Sequence, residues 1–283
     1  MKTTTSQFEL YRYQLLPIDR YLQGDLWSGI NSIEELISKK NELFSSAMLE
    51  VDHFANSRTE TTTKRLYAKD DFFLFRIAAN RSLHRETKEF TEEYIDNWPS
   101  VLVAVWNHPE IQMFAIQRRT NAFSSTEAVA KLILETIHPS LAHFHLRAIY
   151  EPIVERKVFW DIVEKYEGEI QKLEFEFITP NMANISSSLP ENLKEFAKAT
   201  NSVKNKLDIE SDSESNLHIQ KDNNTISALA DYTSDGGGNV AIKINGLSKK
   251  INTSKTVKHV EISEMELQGT AEEVAGILKE IMR

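Results

Sequence analysis

The sequence predicts an α+β fold, in which helices pack with mostly antiparallel strands. Apolar and polar residues alternate in several short runs bounded by turn residues, as in 173–177, and this period of two predicts strands. Other stretches carry apolar residues at helical spacing behind a capping residue, as after Ser32 and after Thr270. Several strands are joined by turns that are too short for a parallel crossover, which favours antiparallel pairing.

The first half of the chain is expected to form two hairpins, two further strands and three helices. The predicted elements are a strand at 8–16, a helix at 32–50, a hairpin of 65–69 with 72–79, a charged strand or loop at 84–97, a hairpin at 100–118, a helix from Ser124 to about 138, a strand at 143–150 and a helix from Pro152 to about 168. The hairpin at 100–118 is the clearest of these, because Asn107-His108-Pro109-Glu110 is typical of a turn.

The second half begins a new series of elements after Gly168. The predicted elements are a strand at 173–177, a polar loop at 181–188, a helix from Pro190 to about 200, a strand at 203–209, a helix at 224–232, strands at 240–244 and 256–267, and a last helix from Thr270. We therefore expect an N-terminal α+β domain at 1–168 and a C-terminal α+β domain at 169–283.

Composition argues against several classes of protein. The chain has no cysteine, which excludes disulfides, thiol nucleophiles, Fe–S clusters and cysteine-based zinc sites. Its longest apolar run is the six residues 101–106, and a membrane-spanning helix needs about 20. The first residues contain no apolar stretch of the kind that forms a secretory signal. We expect a cytoplasmic protein without direct membrane insertion.

Few residues are candidates for catalysis or for metal binding. On the strand predicted at 143–150, His143 and His145 would share one face, and two imidazoles so placed can hold a metal ion. This pattern leaves open a metal-dependent nuclease or toxin as an alternative function. The glycines at 236–238 precede a strand and lack the Gly-Lys-Ser/Thr of a P-loop, so a turn with positive φ is expected there. We assign no catalytic residue, no metal ligand and no cofactor.

The distribution of charge suggests a nucleic-acid contact. Although the net charge is −9, the segment 241–259 contains five lysines and no acidic residue, and a local field of this kind attracts phosphate. Arginines that follow or flank the two hairpins would add to this field. The predicted backbone contacts are Arg118, Arg119, Lys243, Lys249, Lys250, Lys255 and Lys258, to which Arg76, Arg81 and Arg85 are possible additions.

Two other interpretations of these charges remain open. The lysines are also typical of a solvated hairpin whose edge charges prevent sheets from associating. The acidic remainder of the chain would suit an antitoxin or inhibitor module that binds a basic protein partner.

The order of blocks from residue 100 onward resembles the RexA family of phage-exclusion proteins and related bacterial phage-defence proteins. The blocks that carry the resemblance are the hairpin from Ser100, the capped helix from Ser124, the strands 145–152 and 172–177, the lysine-bearing strand 239–244 and the glutamate-rich last helix, with 8–14 as the first strand. The resemblance implies a dimeric, non-enzymatic protein of abortive infection that binds DNA without sequence preference. It also implies a signal to a separate effector protein encoded nearby. No site residue is carried over from the family.

Overall fold

The computed structural model describes residues 4–19, 29–55, 59–179 and 187–283, and within them the fold is α+β, as predicted. The predicted loop at 181–188 lies largely outside these residues. The described strands are β1 (Thr5–Pro17), β2 (Thr61–Lys69), β3 (Phe72–Ala79), β4 (Leu83–Glu86), β5 (Glu92–Ile95), β6 (Ser100–His108), β7 (Ile111–Gln117), β8 (Leu146–Pro152), β9 (Ile170–Ile178), β10 (Lys204–Glu210), β11 (Gly238–Ile244), β12 (Ile251–Asn252) and β13 (His259–Ser263). The described α-helices are α1 (Ile33–Glu50), α2 (Thr126–His143), α3 (Lys157–Lys165), α4 (Glu191–Ala199), α5 (Asn224–Tyr232) and α6 (Ala271–Ile281).

The chain packs as two compact units. Unit 1 contains Met1–Leu10, Gln23–Ala148 and His259–Arg283, and unit 2 contains Tyr11–Leu22 and Ile149–Lys258. Gly168, near which the sequence predicts a boundary, lies inside unit 2 in the turn between α3 and β9.

The larger sheet, which lies mostly in unit 1, has the strand order β13-β1-β7-β6-β3-β2, and β8 also pairs with β1. The residues of β1 from Tyr11 onward and of β8 from Ile149 onward belong to unit 2. The two predicted hairpins, β2–β3 and β6–β7, are both confirmed as antiparallel pairs. In the first hairpin, Asp70 and Asp71 have φ values of 53° and 60°, which give the turn the twist that two paired strands need.

Helices cover both faces of the unit 1 sheet. Consecutive residues of a strand point to opposite faces, so the side chains of Trp106 and Asn107 in β6 lie on opposite faces of the sheet. The Nδ2 atom of Asn107 donates to the Oγ of Ser45 in α1 at 2.9 Å, while the Nζ of Lys279 in α6 lies 5.3 Å from the Trp106 ring centroid. Helices α1 and α6 therefore lie on opposite faces, which explains why almost every residue of β6 is buried.

Strands β4 and β5 follow β3 and precede β6 in the chain, and they form a separate two-stranded sheet. Backbone hydrogen bonds from Ala79 N to Pro99 O (3.2 Å) and from Arg81 N to Asn97 O (2.8 Å) extend the pairing of β3 with β6 to the start of the β4–β5 hairpin. We call residues 83–98 the arm. The sequence predicted only a charged strand or loop here.

Unit 2 contains a second antiparallel sheet with the order β10-β9-β11-β12. One face carries the core, because Leu173, Phe175 and Phe177 of β9 are buried with Phe159 of α3 and Leu229 of α5. The opposite face carries the alternate residues, which are mostly charged. This alternation is the one that the sequence shows at 173–177, and it confirms the predicted half-buried strand.

The structure corrects the sequence-based interpretation of 143–150. Helix α2 has Ser125 as its N-cap instead of Ser124, and it runs through Pro139 to His143. The reason is burial: Ile133, Ile137 and Leu141 continue the buried stripe of the helix beyond the predicted end at 138. Strand β8 consequently begins only at Leu146.

The predicted strand at 256–267 is also shorter in the structure. It is limited to β13, and a 3₁₀ turn follows at Glu266–Gln268. The last helix begins as predicted, with Thr270 and Glu273 forming a capping box.

Candidate phosphate-binding cleft

A row of side chains crosses four neighbouring strands of unit 1 on the face that α6 covers. Arg76 of β3 is paired with Leu102 of β6. Gln117 of β7 accepts a hydrogen bond from the Leu102 backbone N–H at 3.0 Å and donates one to the Oγ of Ser6 in β1, also at 3.0 Å. The amide of Gln117 thereby holds the ends of three strands in register.

This row forms the floor of an open cleft of about 440 Å³. The residues that follow β7 and the turn that precedes α6 form its walls. The wall residues are Arg118, Arg119, Glu264, Leu267 and Gln268. We call this site the arginine cleft, because Arg76, Arg118 and Arg119 line it.

Hydrogen bonds position the arginines of the cleft. The Nη1 atom of Arg119 donates to the Ser100 carbonyl oxygen at 2.7 Å, and the Nη1 of Arg76 lies 3.5 Å from the Ser100 Oγ. The backbone N–H of Arg118 donates to the Gln7 carbonyl oxygen at 2.8 Å, which fixes the chain where β7 ends. The guanidinium groups of Arg76 and Arg119 keep further N–H donors, since arginine has five and each of these contacts uses one.

Positive charge exceeds negative charge in the cleft. Glu264 is the acidic residue among the lining side chains, and Glu9 lies 3.5 Å from Arg118 as an ion pair. The Arg118 side chain remains 53% exposed in spite of this pair. Planar guanidinium groups bind phosphate oxygens in bidentate fashion, so an anionic phosphate is the ligand that this lining suits.

Arg81 and Arg85, the other two arginines predicted as possible additions, are engaged elsewhere in unit 1. Arg81 donates from Nε to the Ala122 carbonyl oxygen at 2.9 Å. Arg85 pairs with Glu93 across the arm at 2.8 Å. Neither side chain lines the arginine cleft.

The five predicted lysines lie in unit 2, in the segment 241–259, which we call the lysine segment. Lys250 contacts Glu174 at 2.6 Å, and Lys243 donates to the Leu247 carbonyl oxygen. The other three, Lys249, Lys255 and Lys258, are exposed, and no ion pair is found for them within the described ranges. The arginines of the cleft belong to unit 1, and these lysines belong to unit 2.

The charged face of the unit 2 sheet is a network of ion pairs centred on Glu174. Lys250, Lys206 and Lys172 lie 2.6, 3.3 and 3.4 Å from its Oε1. Hydrogen bonding, first from Lys250, lowers the pKa of Glu174 to about 2. Hydrogen bonds to Asp208 and Glu210 raise the pKa of Lys172. This face is therefore internally compensated, which makes it a poor phosphate site.

The strand that was expected to place His143 and His145 on one face is not formed at these two residues. His143 is the last residue of α2, and His145 has a φ of 56° in the turn before β8, so the two imidazoles do not alternate along a strand. Across the described residues, no group of three or more His, Cys, Asp or Glu side chains is placed to hold a metal ion.

The triple glycine forms the predicted turn between helix and strand. Gly236 has a φ of 82° and Gly238 one of 157°. A Cβ at Gly236 would lie 2.5 Å from the Arg12 Cβ, and one at Gly238 would lie 1.9 Å from the Glu176 carbonyl oxygen. The glycines therefore allow close packing of the backbone against β1 and β9.

None of the helices in the described ranges combines the length and the hydropathy that crossing a bilayer requires.

The sequence did not reveal the row of side chains across four strands. It did reveal Arg118 and Arg119, which were predicted as phosphate contacts from their position after the hairpin.

Comparison with protein-family models, with curated proteins and with solved structures finds no match to this chain.

Proposed function

We propose that this chain is a binding protein without enzymatic activity that contacts the phosphate backbone of DNA through the arginine cleft. The observation that carries the proposal is the placement of Arg76, Arg118 and Arg119 around one open cleft of about 440 Å³. Arg76 is distant in sequence from Arg118 and Arg119, and the pairing of β3 with β6 and of β6 with β7 is what gathers them.

The chemistry of the cleft favours backbone contacts over base readout. Arginine donors directed at phosphate fix the position of a protein on nucleic acid and carry no sequence information by themselves. The exposed lysines of the lysine segment provide a second set of cations in unit 2. DNA binding of this kind is expected to be independent of sequence and strongly dependent on salt.

A role in phage defence is the biological part of the proposal. It is supported by the resemblance of the blocks from residue 100 onward to the RexA family. On this proposal the protein is a cytoplasmic homo-oligomer that senses DNA during infection and signals to an effector protein. The proposal of DNA binding rests on the arginine cleft, and its test does not depend on a role in phage defence.

The test is binding of a fluorescently labelled 30-base-pair duplex, followed by anisotropy at about 0.1 M salt. A variant with Arg76→Ala, Arg118→Ala and Arg119→Ala should bind about 30-fold more weakly, since three phosphate contacts of about 0.7 kcal/mol each amount to about 2 kcal/mol at this salt. The matched control replaces three cations of edge strand β2, as Lys64→Ala, Arg65→Ala and Lys69→Ala.

The control removes the same charge from the same unit, outside the cleft. It should weaken binding by less than about threefold, because screening limits the reach of distant charges. Equal loss in both variants would show that only net charge matters, and that outcome would refute the cleft as the binding site.

A further inference from the structure

The arm of unit 1 exposes large apolar side chains on a hairpin that pairs with no other strand of the described chain. Its exposed residues are Leu83 (53%), Phe90 (86%), Tyr94 (68%), Ile95 (41%) and Trp98 (36%). An isolated two-stranded hairpin is marginally stable in water, and clustered apolar exposure marks interaction surfaces. The arm thus has the composition of a docking element.

The tip of the arm holds an aromatic residue in a strained conformation. Phe90 has a φ of 56°, in the left-handed region that favours glycine and asparagine. Hydrogen bonds fix the tip, from Phe90 N to Thr87 O at 3.0 Å and from Thr87 N to Thr91 O at 2.9 Å. Strained residues persist where their side chains serve a function, and a side chain that is 86% exposed has no function in packing the unit.

Charge selects the kind of partner. The arm carries five carboxylates, on Glu86, Glu89, Glu92, Glu93 and Asp96, against the two cations Arg85 and Lys88. A net charge of −3 repels nucleic acid, so the aromatic residues are not a stacking platform for bases. The complementary surface is basic and contains apolar groups.

The arginine cleft has this complementary chemistry. Beside its three arginines, its lining includes Leu267, which is partly exposed. A volume of about 440 Å³ lies in the range of sites that enclose small ligands, which is about 300–1,000 Å³. One aromatic ring fits such a site, and arginine binds both aromatic faces and carboxylates.

We propose that the arm of one copy of this chain docks in the arginine cleft of a second copy. Phe90 contacts Leu267, while Glu89 and Glu92 pair with the arginines. The exchange is reciprocal, so two copies form a closed dimer with two identical contacts. Arm and DNA phosphate compete for the same arginines; that consequence rests on the proposed function, whereas the docking itself does not.

The first test is sedimentation equilibrium of the full chain in buffer without nucleic acid. The wild type should reach twice the mass of one 32.5 kDa chain. Phe90→Gly should raise the dissociation constant at least tenfold, and glycine suits a positive φ, so folding is retained. The matched control is Phe196→Ala, which removes an exposed phenyl ring (60%) from unit 2. A monomeric wild type, or a Phe90→Gly variant that dimerises like the control, would overturn the proposal.

The second test exchanges charge between arm and cleft. One variant carries Glu89→Lys and Glu92→Lys, and the other carries Arg76→Glu and Arg119→Glu. Each variant alone should be monomeric, since like charges meet in both contacts, whereas an equimolar mixture should dimerise because both contacts become attractive. A mixture that stays monomeric would contradict the contact. All samples lack nucleic acid, so this result is independent of DNA binding.

Discussion

The ammonium group of Lys250 lies 2.6 Å from the Oε1 atom of Glu174, which joins the lysine segment to the charged face of the unit 2 sheet. The two residues are 76 positions apart in the chain. Glu174 is only 8% exposed and also contacts Lys172 and Lys206, so it is the centre of the network. One of the five lysines predicted to meet phosphate is thus committed to a carboxylate.

Replacing Glu174 with glutamine should destabilise the chain. Three lysines would lose their shared carboxylate. A hydrogen bond between charged groups contributes about 1.5–3 kcal/mol to stability, and this value is reduced here because solvent screens the exposed lysines. We expect the free energy of unfolding to fall by about 1–2 kcal/mol after that discount. Urea unfolding at pH 7 measures it, and Glu176→Gln, at a more exposed position of the same strand, is the control.

The stabilisation by Glu174 should depend on pH in a defined window. Its pKa is lowered from 4.5 to about 2, so the carboxylate form is favoured in the folded chain. The contribution is complete above pH 4.5 and is lost as the pH falls towards 2. The difference in urea midpoint between the wild type and Glu174→Gln should therefore shrink between pH 4.5 and 2. A difference that stays constant over this range would show that the carboxylate is not stabilised by its lysines.

Lys40 of α1 should reduce stability at neutral pH. Its side chain is buried, with 6% exposure, and burial lowers its pKa to about 8. Because the charged form is penalised in the folded state, Lys40→Met should raise the free energy of unfolding at pH 7 by about 1–3 kcal/mol. The gain should disappear as the pH rises from 8 to 10.5, where both states lose the proton. Lys39→Met, at an exposed position, should show no such dependence.

Two glycines with positive φ should differ sharply in their tolerance of alanine. A Cβ at Gly238 would lie 1.9 Å from the Glu176 carbonyl oxygen, whereas one at Gly246, with a φ of 76°, has no atom within 4 Å. We expect Gly246→Ala to cost about 1 kcal/mol through backbone strain alone. Gly238→Ala should cost more than about 3 kcal/mol, because strand β9 must move. Thermal unfolding of both variants checks the order, and equal losses would contradict the backbone contact.

The lysine segment should contribute to DNA binding through its three exposed lysines. Lys249→Glu, Lys255→Glu and Lys258→Glu together should weaken retention of a duplex at least about tenfold at 0.1 M salt. The matched control places the same reversals on exposed lysines elsewhere in unit 2, at Lys165, Lys198 and Lys221. Similar retention by the two variants would remove the lysine segment from the binding surface. Adding Lys250→Glu should have a smaller effect on binding, since that side chain is held by Glu174.

Local patterns predicted most of the elements, whereas the sites depend on contacts that no local pattern contains. Capping residues and alternation located α1, α6 and the β6–β7 hairpin, because these signals lie within a few residues. Helix α2 was predicted to end too early, because Pro139 is tolerated where burial continues the helix. The strand expected at His143 failed for the same reason.

The arginine cleft could be predicted only in part. Arg118 and Arg119 follow a hairpin that the sequence predicts. Arg76 joins them only because β3 pairs with β6, although the arm separates these two strands in the chain. Gln117 gives no signal in the sequence, since its role depends on Ser6, which lies 111 positions earlier in the chain. The sequence also did not predict that the arm is exposed, because aromatic residues such as Phe90 and Trp98 are usually buried in a core.

The salt dependence of DNA binding tests the central claim most directly. The slope of the logarithm of the association constant against the logarithm of salt concentration counts the phosphates that cations neutralise, at about 0.9 per phosphate on duplex DNA. Replacing Arg76, Arg118 and Arg119 with alanine should reduce the magnitude of this slope by about 2–3 relative to the wild type. A slope equal to that of the wild type would show that the arginine cleft does not contact the DNA backbone.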